Sequence, residues 1–212
     1  MPSLQGSKIA ILVESQYIPD EIAIYQNVFS EQGAEVQLFS RLWGNSQHNF
    51  VSEVEQEGQV PQVLPVKWAV ERFFLEPNDP AFLALSQYDA LLVAANYVAV
   101  RLRYFTANET MRTTPAVKLF YLAMQDRRLI KGALCHALWL ATPCPEVLAG
   151  RRVTCHEVVQ ADIHNAGADI QQALVVKDHD LVTGKSVKEA EAYARAVIDQ
   201  IRLVKSSAVR PW

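Results

Sequence analysis

The chain has 212 residues, of which half are hydrophobic and a fifth are charged, and its formal net charge is −3. This balance is typical of a globular protein with a sizeable core, and it offers neither a basic stripe for nucleic acid nor a cationic helix for a membrane surface. The apolar runs are too short to span a bilayer, and the three irregularly spaced cysteines do not suggest a disulfide framework. We therefore expect a cytoplasmic protein that binds neither nucleic acid nor membrane.

The first elements alternate between strand and helix. Residues 9–13 form a short apolar, β-branched run that is typical of a buried strand. Residues 20–32 have the pattern of a helix, which Asp20 can cap and Gly33 can end. A second strand is predicted at 35–39. A strand–helix–strand order of this kind favours a parallel sheet.

The segment 44–80 is less regular. It contains an acidic patch at 53–58 and a possible hairpin arm at 60–66. Its role is left open between covering a site and building a subunit interface. We interpret the segment as an elaboration over one end of the sheet, held down by aromatic side chains. These are Trp68, Phe73, Phe74 and Phe82.

After this segment the alternating pattern resumes, so the whole chain, 1–212, is predicted to be one α/β domain. The tail at 205–212 is expected to be loose, although Trp212 could dock. Further strands are predicted at 89–94, 129–134 and 152–155, a hairpin at 173–177 and 180–183, and helices at 114–127, 136–141, 158–165 and 187–203.

The sequence K-G-A-L-C-H-A-L-W at 131–139 places Cys135 between an apolar strand and a predicted helix. A residue at such a turn is held in a strained backbone conformation above the edge of the sheet. The following helix would favour the thiolate, which is the nucleophilic form of cysteine, and the N–H of His136 could face an oxyanion. Cysteine is also a common small core residue, and packing is the role expected of Cys144 and Cys155.

Several short motifs together resemble the ThiJ/PfpI family of the class I glutamine amidotransferase-like superfamily, from residue 8 to about 203. They are K-I-A-I-L-V at 8–13, G-A-E-V-Q-L-F-S at 33–40, Y-D-A-L-L-V at 88–93, G-A-L-C-H at 132–136, N-A-G-A at 165–168 and L-V-T-G at 181–184. The resemblance implies a flavodoxin-like three-layer α/β/α sandwich with a mostly parallel central sheet. It also implies a nucleophilic cysteine and a homodimer or higher homo-oligomer.

By this resemblance Cys135 takes the nucleophile position, and His136 is the histidine that follows it. Glu21 falls where the family places a carboxylate against the sulfur, and a protonated carboxyl there can stabilise a thiolate. The alternative is that Glu21 is an ordinary acid of a first helical turn. Glu14, at the end of the first strand, is the fallback carboxylate.

Two further positions follow from the same resemblance. His156 falls where some members carry a histidine that faces the cysteine, and it could move a proton or be an ordinary loop residue. At 94–96 the chain reads Ala-Ala-Asn instead of the Pro-Gly-Gly of the family. Asn96 therefore takes the place of the glycine whose N–H helps to bind the oxyanion, and asparagine tolerates left-handed backbone angles. Ile18, where many members carry an acid, and Ala137, where a glycine is usual, are further departures.

Three functions remain open from the sequence. The first is a cysteine-dependent enzyme, hydrolase or lyase, on a small carbonyl or amide substrate, with glyoxalase-, deglycase- or amidase-like chemistry. The second is a non-catalytic stress-response or redox-sensing protein that uses oxidation of Cys135. The third is an interaction module that kept the fold alone. We expect no metal, since adjacent residues such as 155–157 seldom ligate one ion, and no nucleotide cofactor, since no phosphate-binding glycine loop is present.

Overall fold

The computed structural model describes residues 4–54, 57–74 and 85–208. Its strands are β1 (Lys8–Leu12), β2 (Glu35–Ser40), β3 (His48–Val51), β4 (Val63–Val66), β5 (Trp68–Ala69), β6 (Ala90–Val93), β7 (Ile130–Leu134), β8 (Arg152–Val153), β9 (Asp169–Ile170), β10 (Val175–Asp178) and β11 (Leu181–Gly184). Its α-helices are α1 (Pro19–Ser30), α2 (Val98–Leu102), α3 (Pro115–Gln125), α4 (Gln160–Asn165) and α5 (Ala190–Ala208). Within these described ranges no helix is both long and apolar enough to cross a membrane.

The central sheet has the strand order β10-β11-β7-β6-β1-β2-β5. Its neighbouring strands run parallel, except that β10 is antiparallel to β11. Strands β6 and β7 are buried along their whole length, as expected for central strands with both faces covered. Helices α1 and α5 pack against each other and against the sheet. The predicted fold class, a mostly parallel sheet flanked by helices, is confirmed.

The parallel arrangement brings the carboxyl ends of β1, β6 and β7 to one edge of the sheet. Backbone hydrogen bonds continue the pairing beyond the strands: the N–H of Ala94 donates to the carbonyl of Leu12 over 3.0 Å, and the N–H of Cys135 donates to the carbonyl of Gly184 over 2.9 Å. Since β6 and β7 are paired in parallel up to Val93 and Ala133, the turns that follow these two strands lie side by side. This is the edge at which open α/β sheets bind their ligands.

The segment 44–80 contains the predicted hairpin, because β3 and β4 pair antiparallel, and it adds β5 to the edge of the central sheet beside β2. Phe73 is buried and its ring lies 5.8 Å from that of Phe39. Trp68 also contacts Phe39, at 5.9 Å, but stays partly exposed. The side chain of Phe74 and the whole of Phe82 lie outside the described residues.

Several predicted elements differ in detail. The helix expected at 136–141 is a short 3₁₀ helix at 137–141, and the helix at 158–165 begins with a 3₁₀ turn before α4. Helix α1 begins at Pro19 after Ile18, so Asp20 lies in its first turn and the predicted Asp20 cap is wrong. Helix α5 continues to Ala208, so residues 205–208 are helical; residues 209–212, including Trp212, lie outside the described part.

Candidate active site at the carboxyl ends of β6 and β7

Cys135 occupies a sharp turn directly after β7. Its φ of 61° lies in the left-handed region, which a residue other than glycine rarely adopts. Its N–H donates to the carbonyl of Gly184 at the end of β11, and its own carbonyl accepts from the N–H of His156 over 3.1 Å. Because both peptide groups are bonded to neighbouring segments, the strained conformation is fixed from two sides. The side chain is buried, with 7% of its surface exposed.

The thiol of Cys135 is not activated in the way that the sequence suggested. Burial raises its pKa to about 11, and the negative charge of Glu21 acts in the same direction. The backbone N–H groups of Asn96 and His136 act on the sulfur in the opposite direction and lower the pKa. The expectation of a thiolate is wrong because the following 3₁₀ helix has only five residues, and its small dipole does not offset desolvation. The group is a neutral thiol at neutral pH.

Glu21 lies in the first turn of α1 and is fully buried. Both of its carboxylate oxygens accept from the N–H of Ala95, each over 3.0 Å. Burial raises the pKa of Glu21 to about 7; the Ala95 N–H lowers it, and so does the nearby Tyr25 hydroxyl, which has no hydrogen-bond geometry to a described residue. Glu14, the fallback candidate, accepts from the N–H of the adjacent Ser15 instead. Of the two carboxylates, Glu21 is the one that contacts the turn beside Cys135.

The turn after β6 has the geometry of a glycine turn although it contains none. Asn96 has a φ of 62° and is buried. Its side-chain amide donates to the carbonyl of Gln16 over 2.8 Å and to a carboxylate oxygen of Glu53. The side-chain amide is therefore occupied by Gln16 and Glu53, while the backbone of Asn96 lowers the pKa of the Cys135 thiol. Sequence reasoning expected the turn to survive, but it missed Gln16 and Glu53; the only signal was the acidic patch at 53–58, which had no assigned role.

Two histidines meet at this edge of the sheet. The rings of His136 and His156 lie 4.8 Å apart and are nearly perpendicular, at 82°. Neither ring nitrogen of His136 has a hydrogen-bond partner among the described residues. Burial and the neighbouring His156 lower the pKa of His136; the Asn96 backbone acts in the opposite direction without hydrogen-bond geometry. The Nδ1 of His156 accepts from the N–H of Val158 over 3.3 Å, which orients that ring.

Two aromatic side chains flank the partly buried ring of His136. Its ring lies 5.9 Å from that of Tyr97 and 5.8 Å from that of Trp139. The indole N–H of Trp139 donates to Asp162 over 2.7 Å, which fixes the orientation of the Trp139 ring. Trp139 also borders a cavity of about 720 Å³, which is further lined by Arg103, and Cys135 does not line it. Arg101, on the neighbouring helix α2, donates to the side chain of Gln16 over 3.1 Å.

The packing below the thiol depends on Gly132. A Cβ at this position would lie 2.1 Å from the Tyr193 hydroxyl and 2.4 Å from Leu92, so a side chain there requires a shift of the core. The Tyr193 ring lies 5.7 Å from that of Tyr25, and both rings are fully buried between α1 and α5. Among the described residues, no three or more His, Cys, Asp or Glu side chains are grouped so as to hold a metal ion.

Comparisons with known proteins agree with this architecture. The model of the DJ-1/PfpI family matches residues 105–200. Among curated proteins, "Putative cysteine protease YraA" of Bacillus subtilis (strain 168) is 24% identical over 117 residues, which are 55% of this chain and 63% of that protein. The match thus spans less than two thirds of that relative.

Solved structures extend the likeness over most of the chain. A two-domain protein of Anabaena variabilis with DJ-1/ThiJ/PfpI-like and ferritin-like domains has a TM-score of 0.73 and 19% identity, covering 92% of this chain and 48% of that one. The ThiJ/PfpI domain protein of Brachyspira murdochii has a TM-score of 0.71 and 12% identity, covering 94% and 98%. DJ-1 of Schizosaccharomyces pombe has a TM-score of 0.64 and 14% identity, covering 96% and 100%. The resemblance to the ThiJ/PfpI family is confirmed.

Proposed function

We propose that this chain, which resembles the DJ-1/PfpI family, is a cysteine-dependent enzyme that acts on a small carbonyl or amide compound, with Cys135 as its nucleophile. The observation that carries the proposal is the pair of turns at the carboxyl ends of β6 and β7. Cys135 and Asn96 both have left-handed φ values, of 61° and 62°. Two backbone N–H groups, those of Asn96 and His136, bear on the sulfur. Donors held in this way can stabilise an oxyanion that forms beside the attacking sulfur.

The proposed first step converts a carbonyl into a sulfur adduct. The sulfur of Cys135 forms a bond to the carbonyl carbon, and the π electron pair of the C=O bond moves onto oxygen. The N–H groups of Asn96 and His136 stabilise the resulting oxyanion. The thiol proton passes to a ring nitrogen of His136 or His156. The lowered pKa of His136 supports this role, because its imidazole is then neutral at pH 7 and has a free lone pair.

Glu21 sets the charge of the site. With a pKa of about 7, its carboxyl is protonated in weakly acidic solution and ionised in weakly alkaline solution. The ionised form raises the pKa of Cys135, so the protonated form is the one that is compatible with a developing thiolate. We therefore assign to Glu21 the role of a neutral carboxyl that keeps negative charge away from the sulfur until the adduct forms.

The raised thiol pKa also ranks the alternative functions. Oxidation to sulfenic acid requires the thiolate, and a thiol with a pKa near 11 supplies little of it at neutral pH. This observation supports catalysis, in which a histidine removes the proton during attack, over redox sensing by Cys135. The Asn96 amide is bonded to Glu53, and the Trp139 indole is bonded to Asp162. These partners occupy the polar groups of both side chains, which argues against an interaction module in which Asn96 or Trp139 blocks the sulfur.

The test is a comparison of Cys135→Ser with Cys144→Ser in a screen that uses methylglyoxal and small aliphatic amides as probes. Cys144 is a matched control because it is also a buried, free cysteine. We expect Cys135→Ser to reduce turnover to the background rate and Cys144→Ser to keep it, and we expect an adduct on the Cys135 peptide by mass spectrometry. Equal turnover in wild type and Cys135→Ser would refute the proposal.

A further inference from the structure

The positive φ of Asn96 is not explained by its residue type. Glycine is the residue that adopts a positive φ at little cost, and Asn96 adopts 62° as a buried residue. Asparagine tolerates this region better than most residues but does not prefer it. Something outside the turn must therefore hold Asn96 in place.

The side-chain amide of Asn96 is held by two acceptors. One is the backbone carbonyl of Gln16, at 2.8 Å, and the other is the carboxylate of Glu53. A hydrogen bond to an ionised carboxylate is roughly twice as strong as one between neutral groups. Since Glu53 is 43 residues away in the chain, this contact is a tertiary constraint on the turn.

Glu53 is itself directed by backbone pairing. Its N–H donates to the carbonyl of Tyr17 over 3.0 Å, and the N–H of Gln16 donates to the carbonyl of Val51 over 2.7 Å. A bridge between Tyr17 and Ser52 completes this pairing. The residues that follow β3 are thus attached to the loop after β1. Both acceptors of the Asn96 amide, Gln16 and Glu53, lie on these two joined segments.

We propose that Glu53 is a positioning residue: its carboxylate fixes the side chain of Asn96, so that the Asn96 turn beside Cys135 keeps its left-handed conformation. This assigns to the segment a role that neither the fold nor the sequence motifs provide. It rests on the proposed function of Cys135 but concerns a residue that does not touch the reacting atoms. In this arrangement a side-chain tether replaces the conformational freedom of glycine.

The experiment measures the rate of Cys135 alkylation by iodoacetamide between pH 7 and pH 10, read by peptide mass spectrometry, in Glu53→Ala. Loss of the tether moves the Asn96 backbone, which lowers the thiol pKa in the wild type, so we expect labelling at least about threefold slower at a fixed pH, which corresponds to half a pKa unit. Glu57→Ala, an exposed glutamate of the same segment, is the matched control and should label as wild type does. Glu53→Gln, which keeps an acceptor oxygen, should restore part of the rate.

The Glu53→Ala substitution is then made in Asn96→Gly, because glycine holds a positive φ without a tether. There, Glu53→Ala should have no further effect on the rate. Equal slowing with and without the Asn96→Gly substitution, no slowing, or faster labelling would overturn the proposal. Faster labelling would mean that the arm merely covers Cys135.

The structure of Glu53→Ala distinguishes failure of this proposal from failure of the proposed function. If Cys135 of the wild type does not label in the folded state, the proposed function fails. The φ of Asn96 in a crystal structure of Glu53→Ala still decides the role of Glu53. We expect Asn96 to leave the left-handed region or to occupy two conformations. An unchanged turn would overturn the inference.

Discussion

The two ends of β7 differ in whether their buried polar groups have hydrogen-bond or ion-pair partners. At the amino end, Lys131 is fully buried, and its ammonium donates to the carbonyl of Asp126 over 2.8 Å and to the carboxylate of Asp180. Asp180 also accepts from Arg151 over 2.7 Å, and Arg151 donates to Asp178 over 2.6 Å. Although burial raises it, the pKa of Asp180 is lowered overall by these two cations. Each of these four charged side chains has a partner of opposite charge.

At the carboxyl end, only about 13 Å along the strand, the buried groups are neutral or incompletely paired. Glu21 accepts from the N–H of Ala95 and has no cationic partner in the described part of the chain, and Cys135 is held as a thiol. The ring nitrogens of His136 have no hydrogen-bond partner among the described residues, and neither has the hydroxyl of Tyr193, which lies beside Gly132 in the middle of β7 and interacts electrostatically with Glu21. Unpaired groups reduce stability but stay available for proton transfer, whereas paired charges hold the strand in place. The comparison predicts different responses to substitution at the two ends.

The largest effect is expected at the amino end, for Lys131→Met. The substitution leaves the buried carboxylate of Asp180 with one cation fewer, so we expect a loss of about 3–5 kcal/mol in the free energy of unfolding. Urea denaturation followed by circular dichroism measures it. In the folded variant the rate of Cys135 alkylation should stay at the wild-type value, because Cys135 lies at the other end of the strand.

Two controls define this prediction. Lys177→Met breaks an exposed pair with Asp199, whose charged atoms are 3.9 Å apart, and should cost less than about 1 kcal/mol. Adding Asp180→Asn to Lys131→Met should recover part of the loss, since the unpaired charge is then removed. A loss for Lys131→Met as small as that for Lys177→Met would contradict the view that the amino end depends on paired charges.

A smaller effect of opposite sign is expected for Glu21→Gln. The folded-state pKa of Glu21, about 7, is above the value of 4.5 for an unperturbed glutamate, so the folded protein keeps a proton that the unfolded chain releases between these pH values. Wild-type stability from this group is therefore full below pH 4.5 and is lost as the pH rises to about 7. Glutamine does not titrate and lacks this loss. Relative to wild type, Glu21→Gln should gain about 3 kcal/mol between pH 4.5 and pH 8, from 1.36 kcal/mol per pKa unit.

Unfolding free energies at both pH values measure this gain. Glu31→Gln, which removes an exposed carboxylate just after the same helix, should show no comparable change with pH. If the stability difference between Glu21→Gln and wild type were the same at both pH values, Glu21 would titrate normally. The carboxyl end would then hold an ionised group like those at the amino end.

The sequence predicted those parts of the molecule that depend on local pattern. The apolar runs of β1, β6 and β7 are recognisable because central parallel strands are buried on both faces. The turn at Cys135 was located because a strand and a helical element meet at one residue. Glu21 was identified through the family resemblance, and the structure brings it to the turn beside Cys135.

The parts that sequence reasoning missed depend on contacts between distant segments. The pair Glu53–Asn96 joins residues 43 positions apart, and nothing near Glu53 in the chain indicates its partner. The direction of the thiol pKa was predicted wrongly because burial is a property of the whole fold, whereas the helix dipole was inferred locally. The 3₁₀ form of residues 137–141 was missed because its composition also suits an α-helix.

The smallest effect is expected for Tyr193→Phe, which tests whether the carboxyl end is underpaired. The Tyr193 hydroxyl is buried without a hydrogen-bond partner among the described residues, so its removal deletes a desolvated polar group and leaves the ring contact with Tyr25 intact. Deleting an unsatisfied group is nearly neutral or stabilising, and we expect the free energy of unfolding to change by no more than about 1 kcal/mol, measured in urea at pH 7. A loss above about 2 kcal/mol would mean that the hydroxyl has a partner in solution. A bonded Tyr193 hydroxyl would be one unpaired buried group fewer near Cys135. The difference in pairing between the two ends of β7 would then be smaller.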